Sequence, residues 1–210
     1  MLDIFDILGP VMVGPSSSHT AGAVRIGRMA RTLLGAEVAR ADIGLHGSFA
    51  DTGRGHGTDR ALVAGLLGMK PDDLGIPQSF EIAANQGLEF HFHTARLRDA
   101  HPNTAVLTVE SADGRKLELQ AASTGGGRIR VDRLGGGEVG FTGIFNTLVV
   151  RHQDVAGELS RILNELSVSG VNIANMSLNR DRRGGAALTV VETDQKIPAD
   201  ALERIQALYG

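Results

Sequence analysis

The chain contains no cysteine and no tryptophan among its 210 residues, and only one tyrosine. Without thiols it has no disulfide, no sulfur nucleophile and no thiolate ligand for zinc or an iron–sulfur cluster. With so few flat aromatic side chains it is poorly supplied with platforms on which nucleic-acid bases stack. Positive charge is not in excess either. The 21 Lys and Arg stand against 24 Asp and Glu, a net charge of -3, so the basic footprint of a nucleic-acid-binding protein is missing. No apolar run approaches the roughly 20 residues of a membrane-spanning helix. Asp3 follows close on Met1, and the first residues lack the basic-then-apolar pattern of a secretory signal. A cytoplasmic globular protein is the expectation, and 42% hydrophobic with 21% charged residues is ordinary for one.

Glycine, by contrast, is abundant at 28 residues, which marks tight turns and close backbone approaches. The most informative stretch is Gly14-Pro15-Ser16-Ser17-Ser18-His19-Thr20, set before a helical pattern over 21–34 with apolar Ile26, Met29, Ala30, Leu33 and Leu34 and a cap at Gly35. The first turn of a helix leaves four backbone N–H groups unpaired, and its dipole favours negative charge. Hydroxyls and an imidazole at that place suit a carboxylate or phosphate. A plain N-cap needs one hydroxyl, and five polar residues in a row exceed that need.

Two halves differ in style. Residues 1–142 are glycine-rich and hold most of the histidines; residues 144–210 read as a compact, regular unit. In the first half the pattern predicts a strand near 41–46, a helix over 59–67 with Thr58 as cap and Gly68 as stop, and a helix near 78–86. Residues 89–94 alternate, with Phe90 and Phe92 on one side and Glu89, His91 and His93 on the other, as in a half-buried strand. Strands over 104–111 and 116–121 flank the hairpin signal Asp113-Gly114, and another follows over 128–133. The second half reads β-α-β-β-α: a strand over Thr147–Arg151, a helix over Val155–Ser167, strands over Val171–Leu178 and Ala186–Glu192 joined by Asp181-Arg182-Arg183-Gly184-Gly185, and a helix over Ala199–Tyr209. Right-handed crossovers put both helices on one face of that sheet.

The segment Phe5-Asp6-Ile7-Leu8-Gly9-Pro10-Val11-Met12-Val13-Gly14-Pro15-Ser16-Ser17-Ser18-His19-Thr20-Ala21-Gly22 resembles the beta chains of the iron–sulfur-dependent L-serine dehydratases. So do His46-Gly47-Ser48-Phe49-Ala50, Gly55-His56-Gly57-Thr58-Asp59, His101-Pro102-Asn103-Thr104 and Gly125-Gly126-Gly127, in that order along the chain. The second half resembles an ACT domain, a βαββαβ ferredoxin-like module that binds amino acids. The likeness rests on His152-Gln153-Asp154-Val155-Ala156-Gly157-Glu158-Leu159 and on Gly170-Val171-Asn172-Ile173-Ala174-Asn175-Met176. Ala156 stands where that family has proline. The sequence ends at Gly210, where the fourth strand would follow, so the resemblance leaves three readings: a truncated end, a sheet completed by another chain, or a sheet of three strands. The fold class expected is α/β (α+β): a mixed α/β beta-chain domain followed by an ACT-like βαββα(β) unit.

The resemblance implies conversion of L-serine to pyruvate and ammonia at a [4Fe–4S] cluster that acts as Lewis acid on the serine hydroxyl. A chain without cysteine cannot hold that cluster by thiolate. The implied enzyme is therefore a hetero-oligomer in which a cysteine-containing alpha chain carries it. His56 is the first candidate for catalysis, because glycines on both sides let its imidazole approach a ligand; a surface histidine in a loop is the competing reading. His19 is the second, with Ser16, Ser17, Ser18 and Thr20 as holders of the substrate carboxylate. His101 and Asn103 are further substrate-binding candidates, although His-Pro-Asn-Thr reads equally as a turn with Asn in an unusual conformation. Effector binding falls to Val155, Ala156, Gly157 and Asn172, against a reading in which Asn172 and Asn175 serve local turns. His91 and His93 have the spacing for one face of a strand and for metal, but such alternation is more often a solvated face, and no metal is assigned. Arg25, Arg28 and Arg31 form a polar stripe or an alpha-chain contact. The rival function is a non-catalytic serine-sensing module resembling the tail of some phosphoglycerate dehydrogenases.

Overall fold

The computed structural model describes residues 17–52 and 57–208; of Ser17, Ser18, His19 and Thr52 it describes the backbone alone. The chain divides into two units between Gly136 and Gly137.

The first unit opens mainly in helices and ends in a run of strands. It runs through α1 (Ser17–Leu34), β1 (Val38–His46), α2 (Ser48–Thr52), α3 (Thr58–Leu66), a short 3₁₀ turn, α4 (Ser79–Gln86) and β2 (Glu89–Thr94). The strands β3 (Thr104–Ser111), β4 (Lys116–Gly125) and β5 (Arg128–Leu134) follow. The strands order as β2-β1-β3-β4-β5. β1, β3, β4 and β5 pair antiparallel, while β2 lies parallel to β1 at the edge and is reached through the helices. The alternation of side chains along the strands has a plain cause. Ala41, Ile43 and Leu45, Ala105, Leu107 and Val109, and Leu117, Leu119 and Ala121 all point to one face, where they are buried. Arg40 and Asp42 point to the other, exposed face. Ala21, Val24, Ile26 and Ala30 of α1, with Leu62, Val63 and Leu66 of α3, complete this core. The edge strand is tied down by aromatic packing. Phe80 of α4 lies 4.9 Å from Phe90 between ring centroids, and Phe90 lies 5.8 Å from Phe92 edge-on.

The second unit holds β6 (Gly137–Phe141), β7 (Asn146–Gln153), α5 (Glu158–Val168), β8 (Ile173–Arg180), β9 (Ala186–Thr193) and α6 (Ala199–Ala207). Its sheet is three-stranded, β7-β9-β8, all antiparallel. Val150 and Val191 of the sheet pack with Ile162 and Leu166 of α5 and Ala201 and Ile205 of α6 in one cluster, so both helices cover one face. His152 is buried there, with Nε2 2.8 Å from the Thr189 hydroxyl and Nδ1 2.9 Å from the Gln153 carbonyl oxygen.

Several boundaries differ from the sequence reading. α1 starts at Ser17, so Ser17, Ser18, His19 and Thr20 form its first turn rather than precede it. Hydroxyl side chains are acceptable there because the backbone N–H groups of a first turn are free in any case. α3 starts on Thr58 itself. Its N-cap is Gly57, in the left-handed region at φ 72, with no side-chain cap bond, so Thr58 is not the cap. α5 starts at Glu158 and not at Val155, because Gly157 sits at φ 91 and breaks the helical path. α2 and β6 are short enough to escape periodicity altogether.

Candidate substrate-binding site

Two glycines set the geometry of the site. A methyl on Gly27 of α1 would lie 2.3 Å from the Leu62 carbonyl oxygen, and one on Gly65 of α3 would lie 2.2 Å from the Val24 carbonyl oxygen. The two helices therefore touch backbone to backbone, at a separation no other residue allows. They run in the same direction. Towards the C-terminal end of α1, the Arg31 guanidinium donates 3.2 Å to the Leu66 carbonyl at the end of α3, and the Arg31 side chain passes beside Gly68. Thr20 and Thr58 each stand seven residues before the contact glycine of their helix. Parallel packing therefore brings both threonines to the same, N-terminal end of the pair, where two helix dipoles present their positive ends.

Both threonines are buried. Thr20 is 2% exposed and Thr58 0%, and neither hydroxyl has a hydrogen-bond partner. Asn103 Oδ1 is the third buried side-chain atom without one among the described residues. Buried polar atoms are nearly always paired, and an unpaired one costs about 1–3 kcal/mol. The same end of the fold holds all three segments. A methyl on Gly22, two residues after Thr20, would meet the Ser123 hydroxyl at 2.0 Å, and the Ser123 N–H donates 2.9 Å to the Asn103 carbonyl. The Phe49 N–H at the start of α2 donates 3.4 Å to the Pro102 carbonyl. Gly125, Gly126 and Gly127, all at positive φ, turn the chain at the end of β4.

His101 builds this corner. Its Nδ1 accepts the Asn103 backbone N–H at 3.1 Å, and its carbonyl accepts the Thr104 hydroxyl at 2.7 Å. An acceptor at Nδ1 places the proton of the neutral ring on Nε2. The unusual backbone conformation expected at Asn103 falls instead on Asp99, at φ 54 the one non-glycine with positive φ among the described residues. Ser16 and His56 lie outside the described residues. Of Ser17, Ser18 and His19 only the helical backbone is described. Sequence reasoning took the Thr58 hydroxyl for a cap and did not place it with Thr20 at the candidate site. The signal was present in the residues: Ala61 to Leu67 is apolar throughout, the mark of a helix buried all round, where a polar first residue has no water to face.

In the second unit, Val155 is exposed and Gly157 caps α5. The Asn172 side-chain amide donates 2.6 Å to Asp194, and its backbone N–H donates 2.8 Å to the Gln195 side chain. Asp154, next to the Val155-Ala156-Gly157 turn and at the opposite end of the sheet from Asn172, is held below the usual carboxylate range, first by the Arg180 guanidinium at 2.7 Å and then by the Gly184 N–H. Arg28 and Arg31 are only partly exposed, and Arg31 also pairs with Glu37 at 3.1 Å.

The amino-acid sequence matches the profile of the serine dehydratase beta chain over residues 1–85 and that of the ACT domain over residues 146–208. The probable L-serine dehydratase beta chain of Bacillus subtilis is 41% identical over 98% of this chain and 93% of that protein. The chain belongs to the serine dehydratase beta-chain family. The L-serine dehydratase beta chain of Peptoniphilus asaccharolyticus is 37% identical over 92% of this beta chain and 87% of its own length. The L-serine dehydratase of Streptomyces coelicolor is 28% identical over 86% of the chain, but the match covers only 45% of that longer protein. The second unit is an ACT domain, and the mixed α/β fold of the beta chain agrees with the α+β class expected from its pattern. Among the described residues, no helix is long and apolar enough to cross a membrane.

Proposed function

We propose that this chain is the beta subunit of a cytoplasmic L-serine ammonia-lyase, which converts L-serine to pyruvate and ammonia in a pocket shared with an alpha chain. The observation that carries the substrate class is the trio Thr20 Oγ1, Thr58 Oγ1 and Asn103 Oδ1, buried and unpaired at one end of the first unit. An α-amino acid is a zwitterion. Its carboxylate suits two hydroxyls at the head of two parallel helices, and its ammonium suits an amide oxygen, which only accepts. His101 serves by positioning Asn103 through the backbone bond to its Nδ1. His56, flanked by glycines and two residues before Thr58, is the residue assigned to take the α-proton. His19, Ser16, Ser17 and Ser18 are assigned to the same pocket through the α1 terminus.

The [4Fe–4S] cluster of the family supplies Lewis acidity at the serine hydroxyl. A chain with no cysteine does not fit it, so the thiolate ligands are assigned to the alpha chain. The longer Streptomyces coelicolor protein supports this division, since more than half of it has no counterpart here. The ACT unit is assigned to amino-acid sensing, through the turn Val155-Ala156-Gly157 and Asn172. In the competing reading the whole chain only senses serine.

Reconstitution tests the proposal. The purified full chain is expected to be colourless and inactive alone, and to form pyruvate when co-expressed with a cysteine-bearing partner that co-purifies with it. His56→Ala is expected to abolish turnover while assembly and the partner's visible absorption persist. Turnover by the chain alone, or tight serine binding with no thiol-bearing partner recoverable, refutes the two-chain assignment.

A further inference from the structure

The exposed face of the first sheet carries a cluster that the serine chemistry does not use. In the parallel pairing of β1 with β2, Asp42 stands opposite His91, and Gly44 opposite His93. Both imidazoles turn onto the one carboxylate, each to a different oxygen. His91 Nδ1 lies 3.0 Å from Asp42 Oδ1, and His93 Nδ1 lies 3.3 Å from Asp42 Oδ2. The rings stack at 6.0 Å with 17° between their planes. One ligand atom from each of the three residues lies within 4.8 Å of the others.

The sequence shows only the two histidines, two residues apart on one face of a strand. The fold adds the carboxylate from the neighbouring strand. It also makes room: a methyl at Gly44 would meet His93 Nε2 at 2.9 Å, so the absence of a side chain there lets the ring lie over β1. The surrounding charges are matched without Asp42. Arg40 pairs with Glu89 at 3.3 Å, and Lys116 with Glu110 at 3.3 Å. A cleft of 350 Å³ lined by Arg40, Asp42 and His91 leaves space beside two of the three ligands.

We propose that Asp42, His91 and His93 bind a divalent transition-metal ion of the zinc type. Zinc takes imidazole nitrogen and carboxylate oxygen at about 2.0–2.2 Å, and in a tetrahedron such donors stand about 3.4 Å apart. The two imidazole nitrogens stand 3.0 and 3.3 Å from different oxygens of the carboxylate, and the three ligand atoms lie within 4.8 Å of one another, so rotations of these exposed side chains gather them to that spacing. Two nitrogens and one oxygen select a borderline divalent ion such as zinc over calcium or magnesium, which take oxygen donors. Three protein ligands leave a coordination position open to water or an exogenous anion. Two ligands come from the edge strand and one from its neighbour, so the ion joins β2 to β1 by bonds that do not depend on the backbone ladder.

The test is a calorimetric titration of the chelator-treated full chain with Zn²⁺, with Co²⁺ as a spectroscopic probe. The absence of thiols rules out thiolate ligation in either case. One ion per chain is expected, with Co²⁺ giving the visible bands of a nitrogen–oxygen site. Asp42→Asn, His91→Ala and His93→Ala are each expected to weaken binding at least tenfold. Asp42→Asn keeps the side-chain shape and both histidines, so it remains informative if a histidine variant misfolds. A second readout is amide exchange: Zn²⁺ is expected to slow exchange over Glu89–Thr94 in the parent chain and not in Asp42→Asn. Absence of stoichiometric binding overturns the proposal. So does unchanged affinity in the His91→Ala/His93→Ala double variant, which places the ion at another histidine.

Discussion

Gly65→Ala separates two physical effects that act in opposite directions. Gly65 lies inside α3, where alanine is the better helix former by about 1 kcal/mol. Propensity alone therefore predicts a more stable protein. The packing predicts the reverse. The added methyl would stand 2.2 Å from the Val24 carbonyl oxygen and 2.8 Å from the Arg28 backbone nitrogen, where ordinary contact begins near 3.4 Å. Both neighbours are backbone, so no side chain can swing aside, and α1 and α3 must part by roughly 1 Å. Overpacking of this kind costs about 1–3 kcal/mol, and parting the helices also loses contacts along their length. The expected outcome is a net loss of about 1–3 kcal/mol in the first unit, read from urea unfolding of the full chain followed by amide exchange in α1 and α3. Because the same contact aligns Thr20 with Thr58, the reconstituted enzyme should also bind serine more weakly. A variant as stable as the parent or more so refutes the backbone-to-backbone contact, and with it the placement of the two threonines.

Thr58→Val removes the unpaired hydroxyl at nearly constant shape. Stability is expected to hold or to rise by about 1 kcal/mol, because an unsatisfied buried group is lost, while KM for serine in the reconstituted enzyme rises at least tenfold. Unchanged KM removes Thr58 from the pocket. Acid stability provides another test. Asp154 and Asp200 are held below their ordinary range, Asp154 mainly by Arg180 and Asp200 mainly by Arg204. The unfolded chain then binds protons at higher pH than the fold does. The stabilisation is present above the ordinary carboxylate range, near 3.9, and is lost as pH falls through the lowered values. Asp154→Asn is expected to lose less stability than the parent between pH 5 and about 3 in urea titrations. An identical acid limb in the two proteins counts against the Arg180 pair.

Much of the architecture is legible in the residues. The alternation of Phe90 and Phe92 against His91 and His93 gives β2, Asp113-Gly114 gives the β3–β4 hairpin, and the apolar stripes of α5 and α6 give the second unit. These are local patterns with a period of two or 3.6 residues. What is not legible is set by pairing across long sequence distances. The run Ser16 to Thr20 reads as a candidate ligand site, but nothing in it places Thr58 alongside Thr20; that follows from Gly27 meeting Gly65 across two helices. The histidine pair of β2 reads as a solvated face until β1 brings Asp42 alongside. The cap assigned to Thr58 fails for a local reason: Gly57 already takes the left-handed conformation that starts the helix, so the hydroxyl has no backbone duty.

The placement of β2 has a kinetic side. It is the parallel strand of the first sheet, and 42 residues carrying α2, α3 and α4 separate the end of β1 from the start of β2. A neighbour reached through so long an excursion pays its loop-closure entropy before any ladder bond forms, and β1 meets β3 across a longer one still, whereas β3, β4 and β5 join one another through short reversals. As an edge strand β2 is held by a single ladder, so whatever grips its polar side sets how long that margin stays closed.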